Sequence, residues 1–151
     1  MDISRRAVLA GGLALAAGLI SRPVAAAKPA ITVYKSATCG CCALWVTHLK
    51  DNGFPTTAED VADLGSVKKK HGVPEALQSC HTALIDGYVV EGHVPADLID
   101  RLLAERPQVV GIAVPGMPIG SPGMEVPGVK PQAYDVITFT KQGTTKVFAS
   151  H

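Results

Sequence analysis

Ile31-Thr32-Val33-Tyr34-Lys35-Ser36-Ala37-Thr38-Cys39-Gly40-Cys41-Cys42-Ala43-Leu44-Trp45 is the stretch from which the rest of the chain is read. Residues 30–34 alternate and are β-rich, which predicts a first strand. Thr38 or Cys39 then caps a helix expected from about Cys41 to Asn52. Ala43, Leu44, Trp45, Val46 and Leu49 supply its apolar side, and Gly53 ends it. Three thiols thus fall within four residues at the first turn of a helix, where the partial positive charge of the helix end stabilises thiolate.

A structural disulfide pins distant parts of a chain together, and cysteines this close serve that purpose poorly. Cys41 and Cys42 are adjacent, whereas a disulfide prefers α-carbons about 5.5–6 Å apart. Clustered thiolates suit two other tasks. They hold a soft metal, or they exchange disulfides through a Cys-x-x-Cys pair, here Cys39 and Cys42. The one remaining cysteine, Cys80, stands in Ser79-Cys80-His81-Thr82.

Residues 1–27 read as a cleavable signal peptide. A basic start is followed by the apolar run from Ala7 to Ile20, 14 residues long and short of the roughly 20 a membrane span needs. Val24-Ala25-Ala26-Ala27 offers small residues for cleavage. Arg5-Arg6 ahead of an Ala/Gly-rich core resembles a twin-arginine export signal, which places the mature domain, residues 28–151, in the periplasm. Cleavage removes three of 14 basic side chains (Arg5, Arg6, Arg22) and one of 13 acids (Asp2), so 11 against 12 leaves a net charge of −1. That balance argues against nucleic acid or an anionic membrane surface as a partner. Four cysteines in an oxidising compartment read by default as two disulfides, a default that the tight spacing opposes.

Beyond the first helix a second strand is expected over 54–61 and a short helix over 63–71. Its Lys68-Lys69-Lys70 run reads as a solvated face, and Gly72-Val73-Pro74 breaks it. A third strand over 80–85, a tight Asp86-Gly87 turn and a fourth strand over 88–94 form a hairpin. A helix over 96–105 follows, with Leu98, Ile99, Leu102 and Leu103 on its buried side. The stretch from Gly111 to Pro131 carries Pro115, Pro118, Pro122 and Pro127 and is expected to be one long irregular loop. A closing hairpin over 134–140 and 145–149 completes the chain. The order β-α-β-α-β-β-α predicts an α/β, thioredoxin-like domain, a central mixed sheet flanked by helices, with a long Pro/Gly/Met loop. In that topology the loop before the third strand faces the first cysteine motif, so Cys80 is expected beside Cys39, Cys41 and Cys42.

Other soft or borderline donors gather in the same segments. Met117 and Met124 sit in two Pro-Gly-Met triplets, as thioether ligands for Cu(I) or as apolar plugs. His81 adjoins Cys80, and His93 lies in Glu91-Gly92-His93-Val94-Pro95; each suits a metal or a hydrogen-bonded position. Glu91 is a candidate for orienting a histidine. Trp45 reads as core, and His48, His71 and His151 as surface residues. Structural zinc sites space their ligands as paired knuckles, and iron–sulfur sites spread four cysteines; Cys-x-Cys-Cys matches neither well. Clustered thiolates, methionines and an export signal point to copper.

The chain resembles the CopG-like periplasmic copper-resistance proteins over essentially the whole mature region. The resemblance is carried by Cys39-Gly-Cys-Cys42 with Trp45, Gly72-Val-Pro74, Ser79-Cys-His-Thr82 and Gly87-Tyr88. It continues through Glu91-Gly-His-Val-Pro95 and the string from Gly111 to Met124. It implies a thioredoxin-like fold and copper held by Cys39, Cys41, Cys42 and Cys80, in a cysteine-bridged multicopper cluster. It also implies a role in copper tolerance, as a copper oxidoreductase interconverting Cu(I) and Cu(II) and working with other periplasmic copper-handling proteins. Two alternatives remain. One is a metal-independent thiol–disulfide oxidoreductase using Cys39 and Cys42; the other is a passive copper chaperone. Cys80-His81 stands where disulfide-exchanging thioredoxins carry a proline, which argues against ordinary thiol exchange.

Overall fold

The computed structural model describes residues 27–151; the signal-peptide reading of residues 1–27 lies almost wholly outside the described residues. The elements are β1 (Ile31–Lys35), α1 (Gly40–Asp51), β2 (Thr56–Asp60), α2 (Leu64–Lys70), a 3-10 turn (Glu75–Leu77), β3 (His81–Ile85), β4 (Tyr88–Glu91), α3 (Ala96–Glu105), β5 (Gly111–Ala113), β6 (Asp135–Phe139) and β7 (Thr145–Ser150). The expected order β-α-β-α-β-β-α is present from β1 through α3. Seven strands form one mixed sheet in the order β2-β1-β3-β4-β5-β6-β7. Pairing is parallel for β1–β2 and β4–β5 and antiparallel for the rest.

Strand periodicity divides the core in two. Ile31, Val33, Ala83, Ile85, Val90, Ile112 and Val136 point to one face, where Trp45, Val46 and Leu49 of α1 and Ile99 and Leu102 of α3 cover them. Val89, Ala113 and Phe139 point to the other, against Val73 and Leu77 beyond α2. The β3–β4 hairpin turns through Asp86 and Gly87, both at positive φ (46° and 86°), as a two-residue turn with the twist of its strands requires.

Two expectations are corrected. Gly111–Ala113 is no loop but a fully buried strand beside β4. Every proline of that stretch lies beyond it, and the strand exists only through parallel pairing that three residues cannot announce locally. Lys68 is also not solvated: it is 5% exposed, while Lys69 and Lys70 face outward. One turn of a short helix distributes three consecutive residues over different faces, and Lys68 takes the face on the sheet.

The topology collects loops at one edge. β1, β4 and β5 run in one direction and β3 in the other. The residues after β1, after β4 and after β5 and the residues before β3 therefore share one end of the sheet.

Candidate metal centre

Cys39 is the N-cap of α1, so Cys41 and Cys42 occupy its first turn. Cys80 arrives from the other segment, one residue before β3. Cys41 Sγ lies 3.6 Å from Cys39 Sγ and 3.9 Å from Cys80 Sγ. Cys42, fully buried, lies 3.6 Å from the Cys80 carbonyl oxygen. All four sulfurs fall within 4.8 Å of one another. Cys39 and Cys42 are joined by a disulfide across their one-turn separation, with α-carbons 5.4 Å apart, while Cys41 and Cys80 are free. The cysteines therefore form neither the two disulfides of the oxidising-compartment default nor four free thiols.

A second set of donors surrounds Cys80. His93 Nε2 lies 3.0 Å and His81 Nδ1 3.3 Å from its sulfur. His93 Nδ1 donates to the Pro122 carbonyl at 2.8 Å, because a carbonyl can only accept, and this leaves the Nε2 lone pair facing Cys80. His81 packs tilted against Trp45, with ring centroids 4.3 Å apart and planes at 35°, and meets His93 edge-on at 4.9 Å. Its Nε2 is buried with no hydrogen-bond partner among the described residues, an uncommon condition for a buried polar atom. Burial pushes both histidines below their ordinary pKa, His81 well below, so both are neutral and able to bind a cation. Burial, with Cys41 alongside, pushes the Cys80 thiol up to about 12. Without a cation it is protonated at neutral pH, and a soft ion must displace that proton.

Alternation along β3 separates two environments. His81 points to the α1 face and Thr82 to the α2 face. There Thr82 pairs in register with Glu91 of β4. Glu91, expected to orient a histidine, does something else. Its Oε1 accepts from Lys68 Nζ at 2.5 Å and from the Ser79 backbone N–H at 2.7 Å, and its Oε2 accepts from the Thr82 hydroxyl at 2.7 Å. Burial raises the Glu91 pKa, and Lys68 with these hydrogen bonds opposes that rise.

The loop after β5 packs over the site through its backbone. Ser79 Oγ donates to the Gly116 carbonyl. Gly123, at φ +84°, lies so close to α1 that a Cβ there would sit 2.9 Å from the Cys41 carbonyl and 2.8 Å from the Trp45 nitrogen. Met124 follows, partly buried; Met117 is 51% exposed, its side chain half in solvent. Trp45 is core as expected and donates to the Val94 carbonyl at 2.8 Å. His48 is not a plain surface residue: its Nε2 accepts the Ala96 N–H at 3.1 Å, capping α3, whose Pro95 N-cap offers no side-chain acceptor. His71 stacks on Tyr34 and His151 on Tyr134, and neither belongs to the donor clusters around the sulfurs.

Metal–thiolate bonds of about 2.3 Å, the zinc value, put two sulfurs on one ion about 3.8 Å apart at the tetrahedral angle. The 3.6 and 3.9 Å separations meet that requirement. Thiolate-rich donors with imidazoles beside them suit copper or zinc among first-row metals.

A family model described as a protein of unknown function, DUF411, matches residues 77–124, which hold Cys80, His81, Glu91, His93 and both loop methionines. No curated protein matches the chain. Two solved structures do, both titled copper resistance protein CopG. Form 2 is 50% identical, covers 82% of this chain and 98% of its own, and superposes with a TM-score of 0.78. Form 1 is 50% identical at the same coverage, with a TM-score of 0.77.

Proposed function

Since this chain belongs to the CopG family of copper resistance proteins, we propose that it serves copper tolerance in the periplasm by binding Cu(I) through Cys39, Cys41, Cys42 and Cys80. The observation that carries the reading is the approach of Cys80 Sγ to within 3.9 Å of Cys41 Sγ, because sulfurs from distant segments converge there without being bonded. His81 and His93 stand beside Cys80 as further donors, and Met117 and Met124 lie in the loop that packs over the site, as candidates to screen or feed it. Bridging thiolates let four sulfurs hold several cuprous ions.

The Cys39–Cys42 pair supplies a redox step in this reading. The reduced dithiol gives one electron to each of two Cu(II) ions, loses two protons and closes the S–S bond, producing two Cu(I) ions and the disulfide. A dithiol, or two thiols, must then reopen the bond, giving up two electrons and two protons and closing a disulfide of its own, before all four sulfurs can bind again.

Metal analysis of reduced, Cu(I)-loaded protein tests the reading. More than one copper per chain is expected, with loss on Cys→Ser replacement at any of the four positions; one ion or none removes the cluster. The Cys39–Cys42 disulfide favours a second reading, a metal-independent thiol–disulfide oxidoreductase. Under that reading, reduction of insulin proceeds without metal and survives Cys80→Ser. A passive chaperone, the third reading, binds Cu(I) but does not reduce Cu(II).

A further inference from the structure

Cys80 lies between the 3-10 turn and β3, outside the sheet ladder. Its neighbours on both sides are gripped by one carboxylate. Glu91 takes the Ser79 N–H on Oε1 and the Thr82 hydroxyl on Oε2, while Lys68 bonds both Glu91 Oε1 and, at 3.0 Å, Thr82 Oγ1. Glu91 is fully buried and Lys68 nearly so. Well-packed apolar residues of similar volume generally stabilise a fold as much as such a pair or more. Stability is thus a weak reason for the pair, and what Glu91 offers beyond an apolar residue is an acceptor aimed at the N–H of Ser79, the residue before Cys80. The backbone around it is shaped for that approach. Gly92, at φ +74°, passes so close to Ser79 that a Cβ would sit 2.7 Å from both its Cβ and its Oγ.

We propose that Glu91, with Lys68 as its counter-ion, is a positioning residue that holds the Ser79–Thr82 segment so that the Cys80 thiol faces Cys41. It acts from the α2 face of the sheet and touches no sulfur. The consequence for metal binding rests on the copper reading above; the placement of the thiol does not.

Two double variants isolate the acceptor from the charge. Lys68→Met/Glu91→Leu removes both, whereas Lys68→Met/Glu91→Gln removes the charges and keeps an amide oxygen for the Ser79 N–H. Circular dichroism and melting report folding. In reduced, copper-free protein, alkylation of Cys80 by iodoacetamide, located by peptide mass spectrometry, is expected to quicken in the leucine variant and to match wild type in the glutamine variant. Cu(I) affinity by competition with a chromogenic chelator is expected to fall about 10–100-fold in the first and to be kept in the second. Should the leucine variant not fold, Thr82→Val, which removes one of the two grips, takes its place with a smaller change of the same sign. Wild-type alkylation and affinity in the leucine or valine variant overturn the proposal, and so do equal losses in both double variants. If wild-type protein itself holds no Cu(I), the copper reading falls and the alkylation rates alone decide the positioning role.

Discussion

Gly92→Ala combines two costs that the structure allows to be separated. At φ +74° an alanine adopts a left-handed conformation, which costs roughly 1–2 kcal/mol. Its Cβ would also sit 2.6 Å from the Val114 carbonyl oxygen and 2.7 Å from Ser79 Cβ and Oγ. Two of those three atoms are main chain or Cβ and cannot rotate away, so β5 or the Ser79–Cys80 segment must shift, an overpacking cost of roughly 1–3 kcal/mol. The sum, about 2–5 kcal/mol, lowers the urea midpoint by about 1–2.5 M at a slope near 2 kcal/mol per M. Gly72 supplies the control: its φ is +72°, but nothing lies within 4 Å of its would-be Cβ. Gly72→Ala is expected to show the backbone cost alone. Equilibrium urea unfolding of both variants, paired with copper content, makes the comparison. Equal midpoint shifts for the two, or wild-type copper capacity in a folded Gly92→Ala protein, would refute the tight seat of the Ser79–Cys80 segment against Gly92.

Lys68→Met alone leaves the Glu91 carboxylate buried without its counter-ion and is expected to cost about 3–5 kcal/mol in urea unfolding. Neutral His48 accepts the Ala96 N–H, and burial holds its folded pKa below the ordinary value. The unfolded chain therefore takes up the proton first. The stabilisation is fully present above about pH 6.5 and is lost as pH falls through the lowered folded value. A loss of about 1 kcal/mol on acidification, the worth of a helix cap, is expected in urea midpoints and should be flattened by His48→Gln. Trp45, the single tryptophan, packs against His81 beside Cys80; Cu(I) loading is expected to change its emission, and a cuprous chelator should restore it.

The strand–cysteine–helix unit was legible because its signals are local: alternation in Ile31–Tyr34, clustered thiols, then an apolar helical side. The arrival of Cys80 was legible only through element order, which fixes which loops share an end of the sheet. What escaped was set by non-local pairing. Nothing near Gly111 announces a strand three residues long whose partner is β4. Lys68 reads as one more exposed lysine until Glu91 is known to meet it on the α2 face of the sheet, and Glu91 reads as a histidine's partner until the β3–β4 register sets it opposite Thr82. His48 shows no sign in the sequence of capping a helix that begins at Ala96. The spacing of Cys39 and Cys42 marks a functional pair but cannot choose between bonded and free sulfurs.

The two-residue Asp86-Gly87 turn also acts as a ruler. It fixes the count of residues between Thr82 and Glu91, and with it the side of the sheet on which the carboxylate emerges. A single inserted residue that slid β4 by one position would send Glu91 to the α1 side, among Trp45 and His81. Kindred chains that keep this glutamate opposite their threonine are thus constrained in hairpin length, even though the bend itself lies at the far end of the strands from any sulfur.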